Sequence, residues 1–198
     1  MRATFDHSWK LLDDEERWVL SQLAVFHGGF NRNAAQHIAG ASLPLLASLS
    51  AKSLVRRTEN GRYDLHEVIR QYTLSHLNEH PLKLEPYTRH CEYYLTMVRD
   101  HESLLKSGSQ QEAIRQLTGE IENIRAAWVW TIDHKNFDQL GQAGRGFGWY
   151  FEITGLYREG IEQLEPKLNS EQILTARSIA KEKTFDMIVK VAQETVWG

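Results

Sequence analysis

The stretch Ser53-Leu-Val-Arg-Arg-Thr-Glu-Asn-Gly-Arg62-Tyr-Asp-Leu-His66-Glu-Val-Ile-Arg-Gln-Tyr72 decides how the chain folds. Two strand-like runs, 53–58 and 62–66, flank Glu59-Asn60-Gly61. Asn-Gly between such runs is the strongest short signal for a β-hairpin, because the tight turn needs positive φ. From Glu67 the apolar spacing becomes helical and continues to about Leu77, and Pro81 closes the unit. His66 stands where strand turns into helix. Free N–H groups and the positive helix end collect there, so a histidine in that position is placed to meet an anion.

Upstream, Asp13 followed by Glu16 reads as a capping box opening a helix. Trp18, Val19, Leu20, Leu23, Ala24 and Phe26 give that helix a broad apolar face, and Gly28-Gly29 ends it. A second helix is predicted from about Asn31 to Ala39, stopped by Gly40. A third runs from Pro44, well suited to a first turn, to about Lys52, with Leu46 and Leu49 turned inward. Three helices, a hairpin and a helix in this order describe a winged helix.

Downstream of Pro81 every segment reads as helix: Pro86 to about Leu105, two segments between Gln111 and Asp133, then Phe137–Ile153 and Tyr157–Leu168 as an antiparallel pair. Short helix pairs in series suggest an α-solenoid of the tetratricopeptide kind. Residues 170–197 contain no Gly or Pro and are helical in pattern, but unlike what precedes them.

The 198 residues allow one ordinary domain or two small ones, and 41% apolar with 25% charged residues fits a globular chain. No apolar run approaches the roughly 18 residues of a membrane span, and the N-terminus lacks a secretory core. The single cysteine, Cys91, excludes an internal disulfide framework and fits a reducing cytoplasm. Net charge is −3: residues 1–80 balance nine Lys/Arg against nine Asp/Glu, and the remainder carries fourteen against seventeen. Duplex DNA binding draws on an excess of cations that neither half offers.

Several parts of the chain resemble bacterial signal-transduction ATPases of the STAND class, related to NB-ARC switch proteins. They are Ser8-Trp9 with Leu11-Leu12, Leu23-Ala-Val-Phe-His-Gly-Gly-Phe30, Ala34-Ala35, Leu46 and Leu49, Lys52-Ser-Leu-Val55 and Arg62–Tyr72. Arg89-His90, Tyr93-Tyr94, Glu120, Asn123, Arg125–Trp130, Glu159-Gly160 and Leu164-Glu165 continue the likeness into a repeat region. The resemblance implies a P-loop domain upstream, binding ATP or ADP, and repeats that receive a ligand or protein. It also implies that His66, in Leu65-His66-Glu67 where relatives have a Met-His-Asp-type motif, contacts the ADP phosphate in an intact parent protein. This chain has no Gly-x-x-x-x-Gly-Lys-Ser/Thr, so the chain alone is expected to hold no cofactor and to hydrolyse nothing.

Other patterns have simpler readings. His76-Leu-Asn-Glu-His80 matches the His-x-x-Glu-His of inverted zinc peptidases, yet no third ligand follows in an obvious position. Gly144-Arg-Gly-Phe-Gly148 looks like a phosphate loop but follows no strand, and small residues there permit close helix packing. Asp6-His7-Ser8 sets triad residue types side by side, whereas a triad needs convergence in space. Trp128, Trp130, Trp149, Tyr150 and Phe151 read as inter-helix core. The third helix offers Ser48, Ser50 and Lys52 but no Arg, Asn or Gln to contact bases; Arg56, Arg57 and Arg62 on the wing could touch phosphates.

The expectation is therefore a mainly α chain without metal or catalytic residues: a winged-helix domain at 1–80 with one β-hairpin, an α-solenoid-like array of tetratricopeptide-like repeats at 84–168, and a helical segment at 169–198 of unassigned role. Its expected function is that of a non-catalytic, cytoplasmic, protein-interaction part of a STAND-type regulator, coupling a nucleotide-binding domain to a repeat sensor. Neither membrane nor nucleic acid is an expected partner. The alternative is a DNA-binding transcription regulator that uses the winged helix. A free-standing adaptor, with the 170–198 tail covering a repeat face, is a third possibility.

Overall fold

The computed structural model describes residues 8–155, which fall into two compact units dividing between Tyr93 and Tyr94. In the first unit, Asp13 caps α1 (Asp14–Leu23). Its carboxylate accepts from the Glu16 N–H at 2.8 Å, and Glu16 Oε2 accepts from the Asp13 N–H at 3.1 Å. Two otherwise orphaned donors are thereby satisfied. Asn31 caps α2 (Arg32–Ala39), which ends at Gly40 in the left-handed conformation. Ser42 caps α3 (Leu43–Ala51), with Pro44 in its first turn.

The hairpin forms as the Asn-Gly signal implies. Strand β1 (Arg56–Arg57) pairs antiparallel with β2 (Tyr63–Asp64), Arg56 opposite Asp64 and Arg57 opposite Tyr63. Phe30 adds a third line on the other side of β2: Phe30 and Tyr63 exchange two backbone hydrogen bonds, both 2.8 Å. Helix α4 (Glu67–Glu79) follows. Helix α1 packs against α2, α3 and α4. Leu20, Leu23, Phe30, Ile38, Leu46, Leu49 and Leu77 are fully buried at the centre, each contributing about 2 kcal/mol of transfer free energy. Three helices, a two-stranded hairpin bridged to Phe30 and a fourth helix are a winged helix.

The first unit runs past residue 80 because α5 (Leu84–Asp100) begins on it. Arg89 Nε donates to the Ile38 carbonyl at 2.8 Å, and its Nη2 donates to Gln22 Oε1 at 2.5 Å. The His90 ring meets Phe26 edge-on.

The second unit holds the end of α5, then α6 (Glu102–Leu105), α7 (Gln110–Gly119), α8 (Ile121–Asp133) and α9 (Phe137–Thr154). A turn at His101 divides the single helix expected over Pro86–Leu105; its imidazole bonds the Met97 carbonyl and Gln116 Oε1, both at 2.7 Å. Helix α9 packs on α6 and α8, and Trp128 meets Phe147 edge-to-face at 4.3 Å. Buried Glu120 accepts from Tyr94 Oη and Asn123 Nδ2. The Gly144–Gly148 run lies inside α9, and a Cβ on Gly146 would collide with the Val98 carbonyl. Gly146 thus serves close helix packing. Of the aromatic residues expected in the core, Trp128, Tyr150 and Phe151 are buried, while Trp149 stays exposed with Lys106 Nζ over its ring. Trp130 stacks on His134. The helix expected at 157–168 and the 169–198 segment lie outside the described residues. No helix among the described residues is long and apolar enough to cross a membrane.

Gly29 and Gly61 share a φ of +79°, but only Gly29 is crowded, its would-be Cβ lying 2.8 Å from the Tyr63 carbonyl oxygen. Gly61→Ala should cost about 1 kcal/mol for the left-handed backbone alone, and Gly29→Ala about 3 kcal/mol because the Phe30–Tyr63 pairing must also shift. Urea unfolding of the two variants measures this, and equal losses would contradict it.

Candidate functional site

His66 is the N-cap of α4, and its ring Nδ1 accepts the Val68 N–H at 3.3 Å. That bond assigns the ring proton to Nε2, which remains a donor on an exposed side chain. The neighbouring carboxylate is engaged elsewhere: Glu67 takes two bonds from Arg70 at 2.8 Å and one from Gln71 at 2.9 Å. The Arg70 bonds chiefly hold its carboxyl at a pKa of about 2.

His66 borders a cleft of about 430 Å³ between the end of α3, β1 and the start of α4. Leu54, Val55 and Ile69 supply apolar walls, Arg56, Arg57 and His66 supply the cationic and donor groups, and among the described residues no carboxylate lines it. Arg56 Nη2 pairs with Asp64 Oδ2 at 2.8 Å. Arg57 has no side-chain partner among the described residues. Ser50 Oγ, also at the cleft, is buried without a hydrogen-bond partner among the described residues.

The end of α3 builds this cleft. Ser53 adopts φ +59°, its N–H donates to the Ser50 carbonyl at 2.9 Å, and the Leu54 N–H donates to the Leu49 carbonyl at 3.0 Å. This is a Schellman cap with serine where glycine is usual, and it turns Leu54 and Val55 inward.

Of the three polar residues that sequence reading noted on the third helix, Ser48 and Lys52 are occupied and the Ser50 hydroxyl is buried. Ser48 Oγ donates to Glu16 Oε1 at 2.6 Å, and Lys52 Nζ bonds both Glu16 oxygens at 2.5 and 2.6 Å. Glu16 has 5% of its side chain exposed. Burial opposes its charge, but the bonds from Lys52, Ser48 and the Asp13 N–H together outweigh burial and hold its carboxyl below the ordinary 4.5. The exposed positions of α3 are Leu43, Pro44, Ala47 and Ala51. On the wing, Arg62 Nη2 donates to the Gly29 carbonyl at 3.2 Å.

The chain aligns with curated bacterial proteins over most of its length. Three of them, from Mycobacterium bovis and two strains of Mycobacterium tuberculosis, are provisionally named HTH-type transcriptional regulators. Each is 32% identical over 182 residues, covering 87% of this chain and 20% of the relative. The chain thus spans about a fifth of the length of the curated relatives it matches. No family model matches it, and no solved structure matches it.

The remaining sequence candidates separate. His76 stacks on Trp9 at 4.3 Å and His80 on Trp18 at 4.0 Å, so the two histidines of the zinc-like pattern each pack on their own tryptophan. Among the described residues no three His, Cys, Asp or Glu side chains gather as a metal site would require. Cys91 is buried. Asp6 and His7 lie outside the described residues. Sequence reading missed the Glu16–Lys52 tie. Its signal was Glu16 on the same helix face as Val19, Leu20 and Leu23, an inward carboxylate that needs a cation.

Glu16 and Glu67 both titrate below their ordinary value in the folded chain. They therefore add stability above about pH 4.5 and lose that contribution as pH falls towards 2. Urea midpoints should drop through this window, less steeply in Glu16→Gln. Parallel profiles for the two proteins would contradict the assignment.

Proposed function

We propose that this chain is the winged-helix and helical-array segment of a larger transcription regulator, acting in the cytoplasm as a non-catalytic coupling module. The 32% identity to proteins named as transcriptional regulators carries the regulatory part of this reading. The geometry of the winged helix supports the coupling part. Ser48 and Lys52 are bound to Glu16, and the exposed face of α3 is apolar, so that helix has little with which to read bases.

In this reading the His66 cleft faces a STAND-type nucleotide-binding domain elsewhere in the parent protein. His66 Nε2–H would donate to a phosphate of ADP held by that domain, which alone would bind ATP or ADP. The helical array, a tetratricopeptide-like sensor in this view, would receive a ligand or protein. Its occupancy favours one packing of the winged helix over another, the differential contact that a switch requires. A second reading has this winged helix itself binding DNA, and the relatives' name favours it.

The full-length gene product, tagged and subjected to chromatin immunoprecipitation, should be enriched at promoters. Absence of enrichment would contradict the regulatory reading. The purified chain should show no retention on random duplex DNA at about 150 mM salt. Retention that weakens with salt and with Arg57→Glu would favour the second reading. ATP hydrolysis above a His66→Ala control would contradict a non-catalytic role.

A further inference from the structure

Among the described residues the hairpin leaves one edge of β1 open, and the register shows which backbone groups face it. The Thr58 N–H donates to the Arg62 carbonyl, so Thr58 and Arg62 lie at a hydrogen-bonded position of the ladder. Arg57 opposite Tyr63 is then a non-bonded pair. Tyr63 accordingly turns its own N–H and carbonyl to Phe30 on the far side. The N–H and carbonyl of Arg57 therefore point away from β2, towards the open edge. Among the described residues they have no partner.

The same residue lines the apolar cleft formed by Leu54, Val55 and Ile69. Its guanidinium is unpaired among the described residues, and the His66 Nε2–H borders the same cleft. A donor–acceptor pair on a strand edge, an apolar socket and the cationic Arg57 beside it are the three parts of a strand-addition site. A short, charged edge also deters pairing with a like-charged copy. The charge therefore selects the occupant.

We propose that the open edge of β1 docks an extended acidic segment of a partner protein. The segment adds as a strand at Arg57, seats one apolar side chain between Leu54, Val55 and Ile69, and places a carboxylate against the Arg57 guanidinium, leaving His66 Nε2–H free for the phosphate. The proposal rests on reading the cleft as a protein-contact face and names the chemistry of what contacts it.

The test titrates the full chain with fluorescein-labelled Glu-Val-Asp-Val-Glu-Val-Asp, followed by fluorescence anisotropy. A Lys-for-acid counterpart and a version N-methylated at alternate amides serve as comparison peptides. The acidic peptide should bind saturably and the basic one should not. N-methylation should weaken binding by about tenfold or more, as should Arg57→Glu, while Lys83→Glu leaves it unchanged. Hydrogen exchange of the Arg57 amide should slow when the acidic peptide is bound. Circular dichroism of Arg57→Glu checks that this exposed substitution leaves the fold intact. Absence of saturable binding, equal binding of the basic or N-methylated peptide, or indifference to Arg57→Glu would overturn the proposal. Any of these with promoter enrichment intact sinks strand docking alone, whereas lost enrichment with peptide binding intact sinks the regulatory reading alone.

Discussion

The buried carboxylate of Glu16 constrains the rest of the winged helix. A charge taken out of water is costly unless it is paired and fully hydrogen-bonded. Glu16 meets that demand with the Asp13 N–H from its own helix start and with Ser48 and Lys52 from the end of α3. The first and third helices are thereby fixed to one another at one point in the chain. Fixing Lys52 fixes the Schellman cap at Ser53, and the cap sets the direction in which Leu54 and Val55 leave the helix. Strand β1 and its cleft follow from that direction. The same bonds remove the helix's one cation and one of its serines from any role in reading bases.

The other side of the sheet is set by backbone approach. Gly29 lets the chain come close enough for Phe30 and Tyr63 to exchange two hydrogen bonds. Among the described residues, strand β2 is therefore paired on both sides, whereas β1 is paired on one. The asymmetry puts the unpaired groups on Arg57, beside the His66 cleft. His66 gains its position from the same pairing, because β2 ends where α4 begins and the ring caps the new helix. Site and fold thus share their causes: an inward carboxylate on one side and a crowded glycine on the other.

Much of the first unit was legible in the sequence because its signals are local. The capping box at Asp13–Glu16, the stop at Gly40, the Pro44 start and the Asn60-Gly61 turn each act within a few residues and appear where expected. Contacts between residues far apart in sequence were not legible. Lys52 stands in a motif that gives it no role of its own; its role comes from Glu16, 36 positions away. Arg89, placed with the repeats, instead bonds Gln22 and the Ile38 carbonyl and carries the first unit to Tyr93. His76 lies on α4 whereas His80 is its extended C-cap, and each stacks on a tryptophan from elsewhere in the chain. Of the site, the placement of His66 at a strand-to-helix junction was legible; the open edge at Arg57 depended on ladder register, which composition does not encode.

A double-mutant cycle on Glu16→Gln and Lys52→Met, read as unfolding free energies at neutral pH, tests most directly whether this ion pair holds the winged helix in place. Each single variant should be destabilised, and the pair should show a coupling of about 2 kcal/mol because either change leaves its partner uncompensated. A coupling near zero would contradict the account, because Lys52 would then be free for another role.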